Sequence, residues 1–319
     1  MPRLLTLLEY PTVAGGENSL LSVLGGVQAA GYDVSAALPP AGPLADRLRH
    51  LGVTIHPLGL RDRHGRRRPL DQIRARLGRL LRTAGPDLVH ANSLAMGRLV
   101  GPVAAALGVP SLAHLRDIVR ISRQAIRDLN CHRRLVAVSQ ATRDYHVAAG
   151  LAADRTAVVL NGVDLRRFRP RLPTGYMHRQ LGLPTPALLI ATIGQISLRK
   201  GVDVMIDAFG PLVDQSTADV HLLIVGSRFS EKEESRDLER QLRRTATRGR
   251  LSGRVHFLDY RNDVADLLPE LAVLVHAARQ EPLGRVLLEG AAAGRAIVAT
   301  DVGGTAEIFP PGTGTCLLY

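Results

Sequence analysis

Short apolar runs alternate with amphipathic stretches along this chain. Leu4-Leu5-Thr6-Leu7-Leu8 predicts a buried strand, and Ala14-Gly15-Gly16-Glu17 opens a predicted helix over 18–30 that Gly31 ends. Residues 34–38 and 53–55 read as further strands, with a short helix over 44–51 between them. After a polar loop over 61–69, Ile73, Leu77, Leu80 and Leu81 share one face of a predicted helix over 70–84, which Gly85-Pro86 breaks. Strands follow at 87–91, 111–115, 135–138 and 156–160; one helix covers 95–107, and another is capped by Ser139. Continuous apolar strands separated by helices indicate a parallel sheet covered on both faces.

Residues 166–185 break this rhythm. They are rich in Pro and Arg, lack periodicity, and read as an interdomain linker. The alternation then restarts, with strands at 187–193, 220–225, 254–258, 271–276 and 296–300 and helices between them. The expected fold class is therefore α/β: two tandem Rossmann-like, doubly wound parallel-sheet domains, the first over 1–167 and the second over 168–319. Such sheets bind ligands at the carboxyl ends of their strands, so the cleft between two of them is the expected site.

Bulk properties narrow the classes. A chain of 319 residues accommodates two domains. Aromatic content is 3% with no Trp, so Leu, Val and Ala fill the cores, and stacking of single-stranded bases is disfavoured. The net charge is +12, almost all of it from Arg; Lys200 and Lys232 are the only lysines. Arg-favouring codon usage explains such a bias, and so does attraction to an anionic partner. The excess is concentrated over 61–82, around Arg66-Arg67-Arg68, as a solvated face or a peripheral contact with an anionic membrane. No recognised motif points to specific nucleic-acid binding. Cys131 and Cys316 form no disulfide framework and no metal cluster, which fits a reducing, cytoplasmic setting. No apolar run reaches the length of a membrane span, and 1–8 lacks a signal-peptide pattern.

Three stretches carry candidate chemistry. Gly15-Gly16-Glu17 follows the first strand, where glycines admit a ligand to a helix N-terminus or simply make a tight turn; the full dinucleotide fingerprint is absent. Gly194-Gln195-Ile196-Ser197-Leu198-Arg199-Lys200-Gly201 places two cations at a strand end, and in an Arg-biased chain the compact Lys200 ammonium suits a diphosphate. Glu281-Pro282-Leu283-Gly284-Arg285-Val286-Leu287-Leu288-Glu289 sets two acids about a predicted helix start at Pro282. Amides of Leu283, Gly284 and Arg285 suit phosphate oxygens, Glu281 suits sugar hydroxyls, and Glu289 suits a ribose diol.

Taken in order, these stretches resemble the retaining glycosyltransferases of family four, which have the GT-B fold. The likeness spans nearly the whole chain. It includes Pro86-Asp87-Leu88-Val89-His90-Ala91-Asn92, Ala113-His114-Leu115-Arg116-Asp117, Val138-Ser139, Asn161-Gly162-Val163-Asp164 with Phe168 and Pro170, and Asp301-Val302-Gly303-Gly304. The resemblance implies transfer of a sugar from a nucleotide-diphosphate sugar to a sugar or lipid-linked acceptor, without cofactor or metal and with retention of configuration. It implies that Gly16, beside Gly15, packs against the diphosphate, which Lys200 and Arg199 contact and the amides of Leu283 and Gly284 face. Glu281 then holds the transferred sugar, Glu289 the ribose, and Tyr260 and Arg261 approach the base. His114 lines the acceptor side near the reacting carbon, with Asn92, Arg116 and Arg120 around the acceptor. The expected products belong to cell-envelope polysaccharide, glycolipid or related synthesis.

Departures keep other readings open. Gln195 stands where the family often has Arg, and Leu283 where it usually has Phe. His276-Ala277-Ala278-Arg279 replaces a Pro-Ser element, with His276 read as a strand-end residue. The chain stops at Thr315-Cys316-Leu317-Leu318-Tyr319, short of the family's closing helices, and is expected to be truncated there. A sugar-nucleotide epimerase of similar fold and a non-catalytic nucleotide-sugar-binding remnant are the alternatives.

Overall fold

A computed structural model describes residues 1–230 and 232–309, together with the backbone of 316–318. Residues 310–315 and Tyr319, within the ending expected to be truncated, lie outside the described residues. The chain forms two compact units, Met1–Gly162 and Val163–Tyr319.

The first unit contains β1 (Arg3–Leu7), α1 (Gly15–Ala29), β2 (Asp33–Leu38), α2 (Pro43–His50), β3 (Thr54–Pro57), α3 (Leu70–Ala84) and β4 (Leu88–Ala91). It continues with α4 (Leu94–Ala106), β5 (Ser111–Leu115), α5 (Arg123–Leu129), β6 (Arg134–Ala137), α6 (Gln140–Ala148) and β7 (Thr156–Val158). All its strand pairs are parallel, in the order β3-β2-β1-β4-β5-β6-β7. Leu20, Leu24, Leu44 and Leu48 cover one face of the sheet; Ile73, Leu77, Met96 and Leu129 cover the other. Serines start three of the helices, the hydroxyls of Ser93, Ser122 and Ser139 accepting from the amides of Met96, Ala125 and Thr142. Gly85, at φ 53°, ends α3 in the left-handed conformation that its sequence position requires.

The second unit contains α7 (Tyr176–Leu181), β8 (Leu188–Ile193), α8 (Val202–Gln215), β9 (Val220–Val225), α9 (Glu233–Ala246), β10 (Val255–Leu258) and α10 (Val264–Leu267). It closes with β11 (Val273–His276), α11 (Arg285–Ala292), β12 (Ala296–Thr300), α12 (Thr305–Ile308) and β13 (Cys316–Leu318). Its parallel order, β10-β9-β8-β11-β12-β13, repeats the arrangement of the first six strands of unit one. Both are the doubly wound order whose chain reversal lies between the first and fourth strands of each sheet. No helix among the described residues is long and apolar enough to cross a membrane.

The linker expected over 166–185 is corrected by the structure. Phe168 and Met177 are buried in the core of the second unit. The amide and hydroxyl of Thr174 donate to Glu270 at 2.6 and 2.9 Å, and Arg171 pairs with Asp266 at 2.9 Å. A Pro/Arg-rich segment with six helical residues lacks periodicity, yet single apolar anchors and buried polar bonds hold it in place. Met177→Ala should therefore lower unfolding free energy by about 2–5 kcal/mol, measured by urea denaturation; a surface linker would leave it unchanged.

Candidate functional site

At the switch point of the second sheet, the loop after β8 meets the loop after β11. Gly201, with φ 66°, makes that meeting possible, because a Cβ there would lie 1.8 Å from the Ala277 carbonyl oxygen. Bonds then stitch the two loops together. The Arg279 amide donates to the Arg199 carbonyl at 2.9 Å, and Arg199 Nη1 donates to the Gln280 carbonyl at 3.2 Å. Arg279 itself reaches the Leu198 carbonyl at 2.7 Å and Asp203 at 2.7 Å.

Within this frame sits Glu281, 5% exposed. Lys200 Nζ donates to its Oε2, and His276 Nε2 lies 2.7 Å from the same oxygen. Burial pushes the carboxyl pKa up, but the His276 hydrogen bond and the Lys200 charge outweigh it and bring it to about 2. Burial lowers the pKa of His276, so its imidazole is neutral, and the carboxylate acceptor fixes the proton on Nε2. His276, which strand-end reasoning set aside, belongs to the Glu281 cluster. Its signal was an imidazole ending a buried strand five residues before an acid.

Helix α11 begins at Arg285, not at Pro282. Gly284 is its N-cap at φ 96°, where a Cβ would press on Leu287 Cδ1 at 2.8 Å, and Pro282 lies outside the helix. The Pro282 signal for a first turn thus yields to the left-handed cap two residues later. Leu283 is buried just before this cap. One α11 turn on, Glu289 is mostly buried and accepts from Arg285 Nη2 at 2.7 Å; burial raises its pKa despite that cation. Gln195 and Arg199 are half-buried in the loop after β8. Tyr260 is exposed, whereas Arg261 is held by Asp263, Nε to Oδ1 at 2.8 Å, with the Tyr176 hydroxyl on the same carboxylate at 3.1 Å.

The first unit gathers a second cluster at its own switch point. Gly15 and Gly16 open α1, where the Glu17 carboxylate accepts from the Ala14 amide at 3.1 Å. Asn92, after β4, is buried and donates to the Gly16 carbonyl at 3.2 Å. Arg116, after β5, donates from Nη2 to Asn92 Oδ1 at 2.9 Å and from Nη1 to Asn161 Oδ1 at 3.2 Å. Its Cδ would be 3.1 Å from a Cβ on Gly16, so the glycine makes room for the arginine stem. His114, on β5, is bonded through Nδ1 to Nε2 of buried His90 on β4 at 2.7 Å. Arg120 is exposed four residues beyond Arg116, outside this network.

Both imidazoles are neutral. Burial first, then the nearby Arg116 charge, lowers His90 to about 3 and His114 to about 2.

Comparison with known proteins places these two clusters in one family. The model of Glycosyltransferase Family 4 matches residues 13–167, and that of Glycosyl transferases group 1 matches residues 187–319. The chain belongs to the group 1, family 4 glycosyltransferases. Among relatives of this glycosyltransferase, a GDP-mannose-dependent alpha-mannosyltransferase of Mycobacterium tuberculosis is 26% identical over 94% of this chain and 79% of its own length. A D-inositol 3-phosphate glycosyltransferase of Xylanimonas cellulosilytica is 32% identical over 49% of this chain, a match spanning only 37% of that relative. The crystal structure of Anabaena HepE, in complex with UDP and glucose, superposes with a TM-score of 0.84 at 24% identity, covering 100% of this chain and 86% of HepE. The fold of this chain is that of HepE.

The neutral histidine pair carries a pH prediction. Below pH about 6.5 the unfolded glycosyltransferase takes up protons that folded His90 and His114 refuse until about 3 and about 2. Stability therefore falls as pH drops through this window, by about 1.4 kcal/mol per pH unit for each histidine. His90→Gln should flatten the dependence of unfolding free energy on pH between about 6 and 4.5 by roughly one proton. Urea unfolding across that range measures it.

Proposed function

We propose that this chain transfers a sugar from a nucleoside-diphosphate sugar to an acceptor hydroxyl, with retention at the anomeric carbon and without a metal. The observation that carries this reading is the buried Lys200–Glu281–His276 cluster beside the left-handed cap of α11. An ammonium, a guanidinium at Arg199 and a helix N-terminus supply positive potential for a leaving diphosphate, which is where charge develops. Gln195, Leu283 and Gly284 complete that side, Arg285 positions Glu289 for the ribose, and Tyr260 flanks the base.

Glu281 is a poor base and a poor nucleophile by its own electrostatics. A carboxyl with a pKa of about 2 is far from the range that suits proton abstraction at neutral pH. Its role is to accept hydrogen bonds from the transferred sugar. A leaving phosphate oxygen, on the face from which the donor departs, can take the acceptor proton; this is the front-face, retaining path that the family resemblance implies. In this reading His114, Asn92, Arg116 and Arg120 of the first unit serve the acceptor, and Gly15 and Gly16 serve the donor diphosphate.

Lys200→Ala and Glu281→Ala should each lower sugar transfer by at least about 100-fold while circular dichroism stays native. A screen of UDP- and GDP-sugars by thermal stabilisation identifies the donor for the assay, since a bound ligand raises stability. Full transfer in both variants would falsify the reading. Proton NMR of the product's anomeric centre tests retention: an inverted product overturns it.

The acceptor class we favour is a sugar or lipid-linked hydroxyl, presented at the cytoplasmic membrane face. The support is the basic surface of the first unit. Asp62 accepts from the amides of His64 and Arg66, at 2.9 Å each, and so folds the 61–68 turn. Arg63, Arg66, Arg79 and Arg82 are exposed on that turn and on α3. Anionic vesicles should co-sediment the protein at low salt and release it above about 0.5 M salt; uncharged vesicles should not bind it.

A further inference from the structure

We propose that His276 is the positioning residue for Glu281, fixing the carboxylate's aim when Lys200 turns to a phosphate. The inference rests on the donor-site reading above. Both protein bonds to the Glu281 side chain fall on one oxygen, Oε2. Among the described residues Oε1 takes no side-chain bond, and the Glu281 side chain keeps 7% exposure. The carboxylate is thus gripped through one oxygen.

The two grips differ in kind. Lys200 is a point charge on a flexible four-carbon stem, and its side chain keeps 16% exposure. His276 is 2% exposed and ends β11, in register with Ala299 of β12. Thr300 Oγ1 tightens that strand end by donating to the Ala278 carbonyl at 2.5 Å. An ammonium drawn to a diphosphate no longer gives its full bond to Glu281, and a buried carboxylate without a partner rises in pKa and loses its orientation. The neutral imidazole does not move with the ligand, and its Nε2–H keeps the acceptor in place. The charged groups acting on His276 are Glu281, Lys200 and Arg199. His276 reaches the sugar only through Glu281.

Two measurements on the full chain test this. The first is a carbon-13 titration of carboxyl-labelled glutamate in the wild type, His276→Leu and His276→Gln. The Glu281 signal should titrate about one unit or more higher in His276→Leu, and close to the wild type in His276→Gln, whose amide retains a donor. The second is kinetic. In His276→Leu kcat should fall about 10–100-fold, with the dissociation constant for UDP or GDP, whichever stabilises the wild type, changed by less than about threefold. His276→Gln should restore most of kcat. An unshifted Glu281 titration in a folded His276→Leu overturns the proposal. So does a parallel loss of nucleotide binding and kcat, the signature of a packing role. A wild type that neither binds nucleotide nor transfers sugar sinks the donor-site reading instead, and the carboxyl titration still decides what His276 does to Glu281.

Discussion

A carboxylate taken out of water must be paired, and in this chain the pairing of Glu281 dictates the local architecture. The cost of burying an isolated carboxylate is several kcal/mol even after relaxation. Lys200 and His276 offset it only if the loops after β8 and β11 come together. Those loops lie 81 residues apart in sequence at the Lys200–Glu281 contact. Their approach depends on Gly201, whose missing Cβ lets the backbone lie against Ala277, and on Arg279, which bonds Leu198, Arg199 and Asp203 at once. The Glu281 carbonyl accepts from the Gly304 amide at 3.0 Å, tying in the segment after β12 as well. One buried charge thereby organises three strand ends.

The first unit solves a related problem without a carboxylate at its centre. Its cation, Arg116, is anchored by amide oxygens of Asn92 and Asn161, and its histidines stay neutral beside it. The Arg116 charge also acts on the nearby Glu17 carboxyl, lowering a pKa that burial raises. Burial first, and the Arg116 charge second, keeps protons off His90 and His114. In both units a buried imidazole on a central strand bonds a more accessible candidate side chain: His90 with His114, His276 with Glu281.

Most of the fold was legible because its signals are local. Apolar runs at 220–225 and 296–300 coincide with β9 and β12, and the amphipathic stretch 70–84 is α3. The switch-point loops were legible too, since glycines at strand ends announce them. What escaped the sequence was held by distant partners. Residues 166–185 look like a linker until Phe168 and Met177 enter the core and Thr174 finds Glu270, 96 residues away. The start of α11 escaped because Pro282 fits a first turn as well as it fits a pre-cap loop, and only the backbone at Gly284 decides. Arg261 has the composition of a ligand-facing cation, yet Asp263, two residues on, takes its guanidinium.

His276 shows why spacing alone undervalues such residues. A histidine at a strand end is usually a satisfied core group, and this one is satisfied by the carboxylate oxygen that Lys200 also holds. The pKa of about 2 at Glu281 expresses the consequence, because burial alone would have moved it the other way. A carboxylate so strongly ionised gives up proton transfer and covalent attack in exchange for a fixed, fully charged acceptor. Under the proposed function the chemistry is carried by what is brought to the site, and in a nucleoside-diphosphate sugar the departing phosphate is the group whose basicity grows as the bond breaks. In the proposed reading Lys200 and the α11 N-terminus stabilise that developing charge, while Glu281 restrains the sugar from which it departs.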